Sequence, residues 1–167
     1  MLSHGHVLAH RAAALEGKVA VIKVGGATET EIDEKKFRVD DAVAATKAAL
    51  SDGIVPGGGV TLVNLANKLD DKDAGAKIVK NALKRPLVHI LENAGLNAQA
   101  LLAEVESAKP GFGINVMTPE KGLIDMKKAG VIDPARVTKE AVKNAVSIAA
   151  TAITMGALIC EIPEKEP

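Results

Sequence analysis

The sequence predicts a mainly α protein: a bundle of helices with a few short strands. Three observations lead there. Apolar residues recur at helical spacing over most of the 167-residue chain, giving about five helices and three short strands. The strands do not alternate with helices, as a parallel α/β sheet would require. Hydrophobic residues make up 47% and charged residues 25%, enough apolar surface for a core and too little charge for a disordered chain. The length suggests one domain, or one plus a small appendage.

That core is aliphatic. Phe37 and Phe112 are the aromatic residues, so stacking on nucleobases is poorly supported. The 21 basic and 21 acidic residues cancel, and nothing in the charge balance points to nucleic acid or an acidic membrane. No apolar run approaches the roughly 18 residues of a membrane span, and the N-terminus lacks the pattern of a signal peptide. Cys160 stands alone, so no internal disulfide forms and a reducing compartment is expected.

Along the chain, His4, His6 and His10 suggest either a shared metal or a plain tail, with no Cys or acidic residue near to complete a ligand set. "VAVIKV" (19–24) reads as a strand by β-branching and length. Thr28 with Glu31, and Thr30 with Asp33, offer two overlapping capping boxes. A long helix follows to about Asp52, with Ile32, Val39, Val43, Thr46 and Leu50 on one stripe and Gly53 at its C′ position. "PGGG" (56–59) breaks the chain sharply, and Val60 to Leu69 resumes a helix. Ala76–Ala94 is helical, and Pro86 is expected to kink or split it. Asn97 can cap a helix to Ser107, "KPGFG" (109–113) reads as a loop, "INVMT" (114–118) as a strand and "VIDP" (131–134) as a turn. Thr138 can cap a last helix over 139–155, and "ALICEIP" (157–163) looks like a strand in need of a partner.

Four places carry candidate chemistry. Strand, Lys23, Gly25 and Gly26 in succession form a phosphate-loop-like step, as in the amino-acid-kinase fold, although a lysine-glycine step also commonly ends a strand. Asp41 sits on a helix beside Ala44, Ala45 and Ala48, leaving room for a ligand or partner at its carboxylate; the alternative is a surface ion pair with Arg38. Gly57, Gly58 and Gly59 before a helix can present backbone N–H groups to a nucleotide, or serve as a tight turn. Asp133 precedes a proline, a pairing most often structural.

Taken together, "AVIKVGGATETEIDEKKFRVDDAVAATKAALSDGIVPGGGVTL", "AKIVKNALKRPLVHILENAG", "GFGIN", "GVIDPARVTKEAVKNAVSIAATAI" and "ICEIP" strongly resemble the group I chaperonins, the GroEL-type 60 kDa family, over residues 11–163. The resemblance implies a fold: the helical bundle of the chaperonin equatorial domain, with a small α+β intermediate-domain segment and short strands. Residues 1–18 would be a tail and the end of the apical segment, 19–51 an intermediate-domain segment, and 52–167 the second half of the equatorial domain. It also implies a function, ATP-driven protein folding in homo-oligomeric rings with a co-chaperonin and unfolded client proteins, in a bacterial-type cytoplasm or an organelle matrix, with ATP and Mg²⁺ as cofactors.

Residue by residue, the resemblance places Asp41 on the catalytic aspartate that positions the attacking water. Gly57 and Gly58 fall on the glycines that approach the sugar and base. Asn115 and Val116, with Met117 beside them, fall on the adenine contacts, and Asp133 on the acid that holds the ribose. The sequence also departs from the family. The Gly-Asp-Gly-Thr-Thr-Thr phosphate loop and its Mg²⁺-holding acid are absent. Lys18 replaces a hinge glycine, Val116 and Met117 replace an alanine pair, and the stretch before "GVIDP" is longer. The chain alone is therefore expected to be inactive as an ATPase. The other readings are a self-associating or chaperone-docking module and, remotely, a kinase-like phosphotransferase.

Overall fold

The computed structural model describes residues 20–157 and 159–160. They fall into two compact units, one ending at Ala42 and the other beginning at Val43. The architecture is mainly α, with very short strands.

In the first unit the expected strand does not form: residues 20–26 have no strand partner among the described residues, and Val21 and Ile22 are exposed. β-branching favours an extended chain but supplies no ladder. Helix α1 (Glu29–Asp52) follows. Of the two capping registers the Thr28 one is used. The Glu31 N–H donates to Thr28 Oγ1 at 3.2 Å, and Glu31 Oε2 accepts from the Ala27 N–H at 2.8 Å. No residue of α1 is buried, so its apolar stripe faces outward rather than into a core. The helix ends in the second unit, where Gly53 has φ 80° and its N–H bonds the Ala49 carbonyl.

The second unit is built on helices α2 (Val60–Ala66), α3 (Ala74–Asn93) and α4 (Ala98–Ser107). Asp73 and Asn97 cap the latter two through backbone N–H groups of Gly75 and Ala100. Pro86 does not split α3. Its missing N–H costs one intrahelical bond at the Ala82 carbonyl, on the exposed side, while Leu87, Val88 and Leu91 anchor the turn that follows in the core. Val60, Val63, Ala98, Val105, Ile114 and Met126 complete that core. Each large side chain buried there contributes about 1.5–3 kcal/mol.

Two antiparallel ladders edge this body. Strand β1 (Ile54–Pro56) pairs with β4 (Ile132–Pro134), setting Val55 opposite Asp133. Strand β2 (Phe112–Ile114) pairs with β3 (Leu123–Asp125). "VIDP" is therefore a strand and not a turn. A distant segment recruits it, and Pro134 stands at the ladder's end, where its lack of an N–H is tolerated. The strand expected at 114–118 lies instead at 112–114. Asn115 stops it: its Oδ1 accepts from the Met117 N–H at 3.0 Å, and its carbonyl accepts from the Thr118 N–H.

The last helix, α5 (Ala135–Ile153), starts directly after Pro134. Thr138 is inside it and caps nothing. The Ala135 N–H, the first of the four at this helix start, is satisfied by the Gly53 carbonyl at 3.0 Å. The three N-terminal histidines lie outside the described residues, as does most of the C-terminal strand expected at 157–163.

Candidate functional site

The glycine pair at 25–26 does not form an anion cradle. The Gly25 carbonyl accepts from Lys35 Nζ at 3.0 Å, and a β-carbon at Gly26 would fall 2.9 Å from the Glu31 carboxyl carbon. The Ala27 N–H that could greet a phosphate is taken by Glu31. Lys35 and that N–H hold the Glu31 carboxyl below its usual range, the lysine contributing most.

Asp41 lies on α1, exposed, in the first unit. The expected pair with Arg38 does not form: Arg38 pairs with Glu34, one turn earlier. Among the described residues no side chain partners Asp41. A helical carboxylate with free lone pairs beside alanines can orient a water.

The other six residues lie in the second unit, and the ladders bring part of them together. The β1–β4 pairing carries the chain from Pro56 into Gly57 beside Asp133. A β-carbon at Gly57 would stand 3.1 Å from Asp133 Oδ1 and equally close to the Ile132 backbone. Asp133 is half-buried, and burial raises its carboxyl above the usual aspartate range. No donor among the described residues reaches this carboxylate, so it is an acceptor held partly out of water and ready for hydroxyl donors.

Gly58 turns the chain against Met126, whose Cε would be 3.1 Å from an added β-carbon. Gly59, at φ 80°, passes so close to α3 that a β-carbon would meet the Leu87 nitrogen at 2.8 Å. At Gly59 the turn is thus fixed by backbone packing on backbone.

Asn115, Val116 and Met117 form the turn after β2. Val116 packs partly against the core, whereas Met117 is 84% exposed. Met126, fully buried, joins the two parts. It touches the Gly58 side of the glycine turn, and its Cγ and Sδ would stand 3.3 Å from a β-carbon at Gly113, two residues before Asn115. A backbone relay reinforces the joint: the Gly57 N–H bonds the Val131 carbonyl, the Val131 N–H the Met126 carbonyl, and the Met126 N–H the Gly111 carbonyl, at 2.9, 2.9 and 3.1 Å. Met126 has no periodic or motif signal in the sequence, and Val131 stands out there only as the first residue of "VIDP".

In the second unit the edge ladders hold a glycine turn against a half-buried carboxylate; among the described residues no group of three or more His, Cys, Asp or Glu is placed to hold a metal. Residues 6–163 match the model of the TCP-1/cpn60 chaperonin family, and the chain belongs to that family. A crystal structure of a group III chaperonin in the open state is similar to it, at 32% identity with a TM-score of 0.68. The similarity covers 81% of this chain and 30% of that chaperonin, so the sequence spans under a third of the solved relative's length.

Proposed function

We propose that this chain is a segment of a group I, GroEL-type chaperonin, supplying one wall of an ATP site and the aspartate that prepares water for hydrolysis. The observation that carries the reading is Asp133, a half-buried carboxylate that no donor among the described residues reaches, held against the Gly57 backbone. In this role Asp133 accepts from the ribose hydroxyls, and Gly57 and Gly58 lie along sugar and base. Asn115, Val116 and Met117 meet the adenine, with bulkier side chains than the family's alanine pair. Asp41 orients a water and accepts its proton. Bound Mg·ATP supplies the phosphoryl group that the water attacks. No residue here is assigned to Mg²⁺, because the family's phosphate loop and its acid are absent from the sequence.

The segments divide as intermediate domain over 19–51 and equatorial domain over 52–167, after an apical end at 1–18. The partners are further subunits in a ring, a co-chaperonin and unfolded clients, in a bacterial-type cytoplasm or an organelle matrix. In a full-length subunit carrying this segment, Asp41→Ala is expected to slow ATP hydrolysis about 100-fold while nucleotide binding persists; unchanged hydrolysis overturns the assignment. The chain alone is expected to bind Mg·ATP weakly and not to hydrolyse it. Micromolar binding by calorimetry would contradict that incompleteness.

A second reading rests on α1 and α5, neither of which has a buried residue. Ile148 and Ile153 are 71% and 82% exposed, and from Asn144 to Cys160 the sequence carries no charge. Faces of this kind favour association. Light scattering that returns a dilute monomer at all concentrations would dismiss a self-associating module.

A further inference from the structure

Apart from the corner made by Gly57 and Asp133, the second unit has an open cleft of about 390 Å³ between β1, α2 and the chain flanking β3. It borders that corner at Val55 and Pro56 and contains none of the proposed nucleotide contacts. Its volume falls within the range of about 300–1,000 Å³ usual for small-molecule sites. Val55, Pro56 and Leu65 give it an apolar floor.

The polar groups around the floor are unequally engaged. The Thr61 hydroxyl is spent on the Pro56 carbonyl at 2.6 Å. The Asp125 carboxylate is occupied by Lys128, through its N–H at 3.2 Å and its ammonium at 3.9 Å. Asn64, Lys68 and Lys127 also line the cleft, and among the described residues none of their side chains has a partner. What remains free is therefore two ammonium groups and an amide above an apolar surface. Two cations and an amide bordering an apolar floor suit a negatively charged group with an apolar body.

We propose that this cleft binds a small organic anion, an apolar body bearing a phosphate or carboxylate, with Lys68 and Lys127 holding the charge. The test is a titration of the isotope-labelled chain followed by amide shifts, with phenyl phosphate and benzoate as probes and inorganic phosphate and phenol as controls. Saturable shifts at Leu65, Lys68, Gly111 and Lys127 are expected, stronger for the probes than for either control, and the tighter probe names the preferred anion. Both lysines are exposed, so the double variant Lys68→Gln, Lys127→Gln keeps the fold and should weaken binding about tenfold. Three results would overturn the proposal: non-saturating shifts at the cleft, inorganic phosphate binding as tightly as phenyl phosphate, or saturable shifts confined to Asn115–Met117 and Asp133.

Discussion

Gly57 and Asp133 meet where two segments far apart in the chain become one ladder: a β-carbon on Gly57 would stand 3.1 Å from Asp133 Oδ1. The glycine keeps the carboxylate and the backbone turn in contact. Gly57→Ala therefore presses on Asp133 and on the Ile132 backbone, which the β1–β4 ladder holds in place. Overpacking of this kind costs about 1–3 kcal/mol, to be read as a lower urea midpoint with an unchanged slope.

Gly59→Ala should cost more. The new methyl group meets α3 backbone at Leu87, and the residue must also hold φ 80°. The two penalties together come to on the order of 3 kcal/mol. Circular dichroism during urea unfolding should rank the glycine variants with position 59 the more damaging.

Met126→Ala empties the joint between the glycine turn and β2. For a fully buried methionine the expected loss is about 2–5 kcal/mol. Amide shifts at Gly58 and Gly113 should move together, since Met126 packs against both positions.

Asp133 and Glu31 give opposite responses to pH. The folded state raises Asp133 above its ordinary 3.8 by burial. Its contribution to stability is therefore full below that value and is lost as pH climbs through the raised one. Asp133→Asn should be at least as stable as the parent at neutral pH and lose ground to it on acidification. Glu31 is lowered below 4.5, chiefly by Lys35. Its contribution is present above 4.5 and disappears as pH falls through the lowered value. Relative to the parent, the urea midpoint of Asp133→Asn should thus fall from neutral to acid pH while that of Glu31→Ala rises towards it.

Glu31→Ala also leaves the Ala27 N–H without its acceptor. Faster amide exchange at Ala27, with the middle of α1 unaffected, is the expected signature.

The helices were legible because their ends are written locally. Asn97 and Gly53 act within a few residues of themselves where the sequence places them, and Thr28 with Glu31 is one of the two registers that the sequence offers. The strands were not, because three-residue strands show no period and exist only through distant partners. Nothing near Asp133 announces Val55, so an Asp-Pro step that reads as a turn is a strand end. The run 19–24 erred the other way, its composition favouring a strand that has no ladder over the described residues. Asp133 and the glycines could be singled out as residues, but their contact could not, since only the pairing register creates it. Met126 was invisible for a related reason: it fills a gap whose walls come from three separate segments.

Three adjacent glycines look like one repeated instruction, yet each is read by a different neighbour. Position 57 answers to Asp133 and Ile132, position 58 to Met126, and position 59 to the spine of α3. The run therefore has no spare letter. A copying error at any of the three would damage a different joint, so sequence drift here should be far slower than in the charged loop before α3, where Asp70 and Lys72 answer only to solvent and to each other's charge.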